Sequence, residues 1–252
     1  MQFSEWEPTY AQILADFGWQ RSADEKAARL LSKLVEGDAA PPEILEKIIR
    51  GKSVLVVGPA APKIPEVRNL QSGIPHSTII CAGSAASALR AAKIIPDILV
   101  TDLDGNVEDQ IFLNILRRPS DSADLESYTS KVLRRPSGSA DIESYTFNKL
   151  GAIAVIHAHG DNVDALRRWV PEFSGAVIAT TQAAPLPNVY NFGGFTDGDR
   201  AVCIAAHFGA KRIAATGFDF ENPIGFSKNI EIKKKKLAWA KRILEKFEIS
   251  YF

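Results

Sequence analysis

The sequence predicts an α/β fold: an open, mainly parallel sheet with helices on both faces, preceded by a small helical amino-terminal region. Three observations carry that prediction. Short apolar runs recur along the body of the chain, at Ser53–Val57, Ser77–Ala82, Ile98–Val100, Gly151–Ile156, Ala176–Ala179 and Ile213–Thr216, and they end in glycine or polar residues. Helical stretches separate several of them, and a strand–helix–strand rhythm implies parallel pairing through right-handed crossovers. Before the first run, apolar residues follow helical spacing instead.

The 252 residues suit one large α/β body at 51–252 behind a helical cap at 1–50. Apolar content of 46% and charged content of 24% are ordinary for a globular chain. A formal net charge of zero gives no global electrostatic case for nucleic acid or an anionic membrane. No segment has the apolar length that spans a bilayer, and the acidic start, Met1 to Glu7, lacks a signal-peptide pattern. Cys81 and Cys203 sit in apolar surroundings and read as buried thiols, not a disulfide framework. A reducing cytoplasmic setting is expected, and a homo-oligomer is compatible with the chain.

In the cap, Trp6, Tyr10, Ile13, Leu14 and Phe17 fall on one helical face. Ser22, with Glu25 three residues on, reads as the capped start of a second helix carrying Ala28, Leu30, Leu31 and Leu34. Pro41-Pro42 breaks the chain and opens a third, with Ile44, Leu45, Ile48 and Ile49 as its face. No catalytic constellation occurs here, so packing against the body is the expected role.

The body is organised around Pro96 to Gly105. Its apolar run empties into Thr101-Asp102-Leu103-Asp104-Gly105. Side chains alternate along an extended strand, so Asp102 and Asp104 point the same way. Two carboxylates on one side repel unless a cation lies between them. Hard cations such as Mg²⁺ take such oxygens together with substrate phosphates. A polar turn capping a helix explains the same residues with less chemistry.

Other strand ends bear on that choice. Gly58 ends the first strand, and Gly83-Ser84 opens a small-residue turn after the second. Such turns let phosphate or a flat ligand approach backbone N–H groups; tight helix–strand packing is the alternative. In an open parallel sheet these residues share one rim with Asp102 and Asp104. His157, His159 and Asp161 share a parity after the fourth run. No third soft ligand is near, so they read as a phosphate and Mg²⁺ site, with Asp161 on the cation and a histidine on phosphate or substrate. An Asp-Asn helix cap is the plainer reading. Thr180-Thr181-Gln182 follows the next run, and Asn191 to Arg200 packs aromatics, glycines and a second paired-aspartate motif. Asp197 or Asp199 suits the opening of a helix over Ala201 to Phe208, and Arg200 at its start can pair with phosphate. The final run leads to Gly217 and Asp219. Lys233 to Lys236 begins a carboxyl-terminal helix and reads as a solvated face, with ATP phosphates as the alternative contact. Residues 116–146 hold a near-exact tandem duplication, Leu116 to Thr129 recurring as Leu133 to Thr146, expected to be a surface insertion.

These motifs resemble the archaeal 6-hydroxymethyl-7,8-dihydropterin diphosphokinases of the MptE-like type, which are similar in turn to the thiamin diphosphokinase catalytic domain. Pro96 to Gly105, His157 to Asn162, Thr180-Thr181-Gln182 and Asn191 to Arg200 carry the resemblance. It implies ATP as co-substrate, Mg²⁺ as cofactor and diphosphate transfer to a pterin alcohol, with AMP released, in tetrahydromethanopterin or folate-type biosynthesis. Thiamin diphosphokinase, or a catalytically weak nucleotide-binding accessory protein, are the competing readings. On this reading Asp102, Asp104 and Asp161 hold metal and, with His157 and His159, make the catalytic set. Gly58, Gly83, Ser84, Thr180, Thr181, Gln182, Asp197, Asp199, Arg200 and Asp219 line the nucleotide and pterin. Phe192 or Phe195 would stack the pterin, and Asp97 or Asp161 would take the hydroxyl proton. One departure stands out: where such proteins usually read Ala-Asp-Gly-Ala, this chain reads Ala82-Gly83-Ser84-Ala85. Loss of that carboxylate implies a slower enzyme or a different substrate.

Overall fold

The apolar runs become strands of a single sheet in the computed structural model, which describes residues 1–60, 64, 65, 67, 77–115, 151–222 and 230–252. The strands are β1 (Ser53–Val57), β2 (Thr78–Ala82), β3 (Ile98–Thr101), β4 (Ile153–Ala158), β5 (Val177–Thr181), β6 (Val189–Tyr190), β7 (Arg212–Thr216) and β8 (Ile249–Tyr251). All neighbours pair in parallel, in the order β6-β5-β4-β3-β2-β1-β7-β8. The expected open sheet is therefore parallel throughout. The chain winds outward from β1 to β6, then returns to add β7 and β8 on the other side of β1. The duplicated segment 116–146 lies outside the described residues.

Strand residues of one parity bury one face and their neighbours the other. Leu55, Val57, Ile79, Cys81, Leu99, Ala154 and Ile156 pack against α2 (Arg21–Leu34), α4 (Ala86–Ala91), α5 (Val107–Ile115) and α6 (Val163–Trp169). Val54, Val56, Ile80, Ile98, Val100, Val155 and Ile178 pack against α3 (Glu43–Ile49) and α7 (Asp197–His207). A third apolar cluster joins α1 (Phe3–Phe17) and α8 (Ile230–Leu244) to α7, through Trp6, Tyr10, Ile13, Leu14, Cys203, Trp239 and Ile243. Because β1 to β5 are covered on both faces, their runs are almost continuously apolar, whereas edge strand β8 is largely exposed. No helix among the described residues is long and apolar enough to cross a membrane.

The three amino-terminal helices thus belong to all three cores. The second begins two residues earlier than its sequence signal: Gln20 precedes the first helical residue, and Ser22 lies within the first turn without acting as the cap. What fixes α2 is a buried carboxylate. Asp24 is one turn before Ala27 and Ala28 and two before Leu31 on the covered face, and it is 5% exposed. It accepts hydrogen bonds from the Tyr10 hydroxyl (2.6 Å), the Gln182 side-chain amide (2.8 Å) and the Gly160 N–H (2.7 Å). Three donors compensate a buried charge that would otherwise be prohibitive. The Trp6 indole adds a bond to the Gln182 carbonyl at 2.9 Å. The helices are thereby tied to the loops after β4 and β5.

Replacing Asp24 by Ala strands those three donors in the interior. Urea unfolding of Asp24→Ala is expected to show a loss of about 3 kcal/mol. A loss within experimental error of zero would remove Asp24 from this account.

Candidate active site

The carboxyl ends of the parallel strands open on one rim, and β3 delivers the first two carboxylates to it. The strand ends at Thr101, so Asp102 and Asp104 do not align by strand alternation. They align through a turn in which Leu103 adopts a left-handed backbone, φ 67°. That region is unusual for a non-glycine residue and persists only where the surroundings impose it. Here they do: the Leu103 side chain is buried, and its N–H donates to Thr101 Oγ1 at 2.8 Å. Gln110 on α5 then pins the turn, accepting from Thr101 Oγ1 (2.7 Å) and donating to the Asp104 carbonyl (2.8 Å) and the Gly83 carbonyl (3.3 Å).

The third carboxylate comes from α7. Its opening residues divide the labour of the paired-aspartate motif. Asp199 is the third helical residue and closes a capping box: its carboxylate accepts from the N–H groups of Phe195 (2.6 Å) and Thr196 (2.7 Å) and from the Thr196 hydroxyl. Asp197, the first helical residue, is left free to turn outward. One of its carboxylate oxygens lies within 4.8 Å of one oxygen each of Asp102 and Asp104. Glycine at position 83 makes the approach feasible, since a Cβ there would meet Thr101 Oγ1 at 2.7 Å and Asp197 Oδ2 at 3.0 Å. The Gly83 N–H itself donates to the Asp197 carboxylate.

Cations and donors surround the trio. His159 Nε2 lies 3.3 Å from Asp102 Oδ2, while its Nδ1 accepts the Asp161 N–H at 3.3 Å, which assigns the proton to Nε2. The buried Arg200 guanidinium pairs with Asp197 at 3.4 Å and donates to the carbonyls of Gly194 and Phe195 at 3.4 and 3.2 Å. Burial opposes the charge on Asp102, but the His159 hydrogen bond and the charges of Arg200 and Lys236 outweigh it and hold the carboxyl down to about 2. Asp104 goes the other way: burial and then the Asp102 charge push it up to about 6. Burial, followed by the charges of Asp102 and Asp104, drives Asp197 well upward.

His157 sits beneath this rim on β4, 1% exposed. Thr180 Oγ1 donates to the Ile156 carbonyl at 3.0 Å and faces His157 Nδ1 at 3.2 Å, so Nδ1 carries the proton. Burial and then Arg200 push the imidazole well below its usual range, which keeps it neutral, and Nε2 has no directed hydrogen-bond partner among the described residues. Asn162 staples the neighbouring ends, donating to the carbonyls of Asp102 (2.8 Å) and His157 (2.7 Å).

The remaining expected site residues are dispersed. Asp161 is exposed at the rim and lies outside the carboxylate group. Ser84 is exposed beside the Asp104-Gly105 turn. Thr181 closes its own turn by accepting the Ala183 N–H at 3.2 Å, and Gln182 is held by Asp24. Gly58 abuts β7, where a Cβ would overlap the Gly217 carbonyl at 2.4 Å. Asp219 folds back on its own loop, accepting from the N–H groups of Glu221 and Asn222 at 2.9 Å each. Asp97 lies at the opposite end of β3 and accepts the Ile79 N–H at 2.8 Å. Phe192 packs against His207 and Phe208, with centroids 4.9 and 5.1 Å away, whereas Phe195 packs against Phe17 and Trp19 at 5.6 and 6.0 Å. Sequence reasoning passed over Asp24, Gln110 and Asn162; only Asp24 left a signal, as a charge on the apolar face of α2.

Residues 136–225 match the family model described as 6-hydroxymethylpterin diphosphokinase MptE-like. The chain is 33% identical to a protein of Methanocaldococcus jannaschii, over 100% of this chain and 99% of that one. It is 32% identical to one of Methanothermobacter thermautotrophicus (98% and 96%) and 38% identical to one of Pyrococcus furiosus (97% and 94%). All three relatives are named 6-hydroxymethyl-7,8-dihydropterin pyrophosphokinase.

The crowded carboxylates have a stability signature. Asp104, raised to about 6, holds a proton in the folded state that the unfolded chain, near 4, has released. Its contribution is full below pH about 4 and is lost as pH rises through about 6. Metal-free Asp104→Asn should therefore melt higher than wild type at pH 7.5, and the gap should shrink toward pH 5. Thermal melts across that range check it; a gap that widens as pH falls contradicts the assigned repulsion.

Proposed function

The chain belongs to the MptE-like family of 6-hydroxymethylpterin diphosphokinases, and on that premise we propose that it transfers diphosphate from ATP to 6-hydroxymethyl-7,8-dihydropterin. AMP is the second product, and the reaction serves tetrahydromethanopterin or folate-type biosynthesis. The observation that carries the reading in this chain is the group of Asp102, Asp104 and Asp197 at the carboxyl rim, within 4.8 Å of one another. An all-oxygen set on a half-open rim fits a hard divalent cation, Mg²⁺, that retains positions for phosphate oxygens. When bound, the cation would neutralise charge on the phosphates being transferred.

The protein's own groups do the positioning. Asp102, already ionised, is held in orientation by His159 Nε2–H at 3.3 Å. Arg200, locked by the Gly194 and Phe195 carbonyls, balances the charge of Asp197. The pterin hydroxymethyl oxygen attacks the β-phosphorus in line, and the bond to the AMP oxygen breaks. Such transfers rest on alignment and charge compensation more than on proton removal. Asp161, exposed beside His159, takes the hydroxyl proton. The aromatic wall of Phe17, Trp19 and Phe195, whose centroids are 4.4 to 6.0 Å apart, stands beside the start of α7 that carries Asp197. Two buried free thiols, Cys81 and Cys203, suit a reducing cytoplasm.

AMP release from ATP and Mg²⁺ tests the proposal, with reduced hydroxymethylpterin and thiamin as separate acceptors. Pterin-dependent AMP is expected, with kcat reduced by about 10²-fold or more in Asp102→Asn and in Asp197→Asn. Chelation of divalent cations should abolish it. Release with thiamin alone, or with neither acceptor, would overturn the assignment.

A further inference from the structure

Helix α8 carries four consecutive lysines, and they are not equivalent. Lys234 pairs with Glu231 at 3.5 Å, one turn back on the same exposed surface. Lys235 pairs with Asp16 at 2.9 Å and lies 4.9 Å from the Phe17 ring. Lys236 has neither a carboxylate nor a hydrogen-bond acceptor within bonding distance among the described residues. It nevertheless sits on the inward face of the helix: Trp239, Ala240 and Ile243, at three, four and seven positions further on, are all buried.

A lysine on the buried face of a helix usually runs its stem along apolar surface to bring the ammonium to water or to a counter-charge. Lys236 does this across the aromatic wall, its Nζ 5.4 Å from the Trp19 ring centre and 6.0 Å from that of Phe195. Phe195 stands two residues before Asp197, so the ammonium borders the carboxylate group. Its charge acts on Asp102 and Asp104 through space, yet no ion pair closes between them. A cation held over aromatic rings, facing carboxylates it does not touch, leaves a gap that suits a polyanion. The carboxylates would meet it through a divalent cation and the lysine would meet it directly.

We infer that Lys236 is a substrate-binding residue that contacts the β- and γ-phosphates of the nucleotide from the side opposite Asp102, Asp104 and Asp197. The inference rests on the diphosphokinase reading for the identity of the nucleotide. Aligned contact from both sides would hold the β-phosphorus for attack, and the ammonium would remain fixed by Trp19 and Phe195 during transfer.

The test compares wild type with Lys236→Met, which keeps the stem over Trp19 and Phe195, with Lys236→Arg, and with Lys234→Met as a control on the same helix. Calorimetric titration uses Mg²⁺ with α,β-methylene-ATP, and AMP as a ligand lacking the β- and γ-phosphates. Lys236→Met should bind the ATP analogue about 10- to 100-fold more weakly and AMP within twofold of wild type. Lys236→Arg should recover most of the loss, and Lys234→Met should match wild type. Equal weakening toward both nucleotides would make the role structural and overturn the inference, as would unchanged binding of the analogue. Wild-type AMP release with the pterin is read in parallel. If that release fails while the phosphate-selective loss stands, the acceptor assignment falls and the lysine contact does not.

Discussion

Three carboxylates whose oxygens lie within 4.8 Å of one another cannot all be charged without compensation, and that constraint orders the rim. Asp102 is stabilised by the His159 hydrogen bond, Asp197 by Arg200 and the Gly83 N–H, and both Asp102 and Asp104 by the ammonium charge of Lys236. The repulsion left over is expressed in Asp104, whose carboxyl rises to about 6, and in Asp197, which burial and its two neighbours push well upward. This shortage of positive charge is the feature that supports the proposed divalent cation. The strained Leu103 backbone, φ 67°, is the cost of bringing two carboxylates of one turn to the same point.

The support for that rim comes from far along the chain. Gln110 and Asn162 each bond to backbone on two different strand ends, so β2, β3 and β4 hold a common register at the surface. Asp24 extends the same logic to the amino terminus. It binds Tyr10, Gln182 and Gly160 at once, so α1 and α2 act as a second layer behind the loops after β4 and β5. Loss of the amino-terminal helices would therefore reach the site through backbone position, without any residue of theirs joining the carboxylate group.

Much of this was legible in the sequence, for identifiable reasons. Buried parallel strands announce themselves as apolar runs, and the glycine or aspartate that ends each run marks the rim; Asp102 and Asp104 were found that way. Asp161 would share the parity of His157 and His159 only in an extended chain, but β4 stops at Ala158 and a turn follows at Gly160–Asn162, so parity does not carry to it. Asp197 takes the third position because α7 crosses the face from β6 to β7 and starts above β2 and β3, a long-range consequence of topology that no local pattern encodes. The choice between Asp197 and Asp199 is local in principle: the helix begins four residues earlier than its apolar periodicity suggests, which puts Asp199 at the third helical position, where it closes the capping box with Thr196. Gly83 carries a related lesson. Its missing side chain reads as a lost carboxylate in isolation, but in the fold that space is bounded by Asp197 and Thr101.

The central claim is that Asp102, Asp104 and Asp197 form one cation site. Crystals of the protein soaked with Mn²⁺ in place of Mg²⁺, with anomalous scattering recorded at the manganese edge, address it without reliance on turnover. The account predicts one anomalous peak enclosed by oxygens of those three residues. A peak on Asp161 and His159, or a peak that leaves Asp197 outside its coordination sphere, would contradict it.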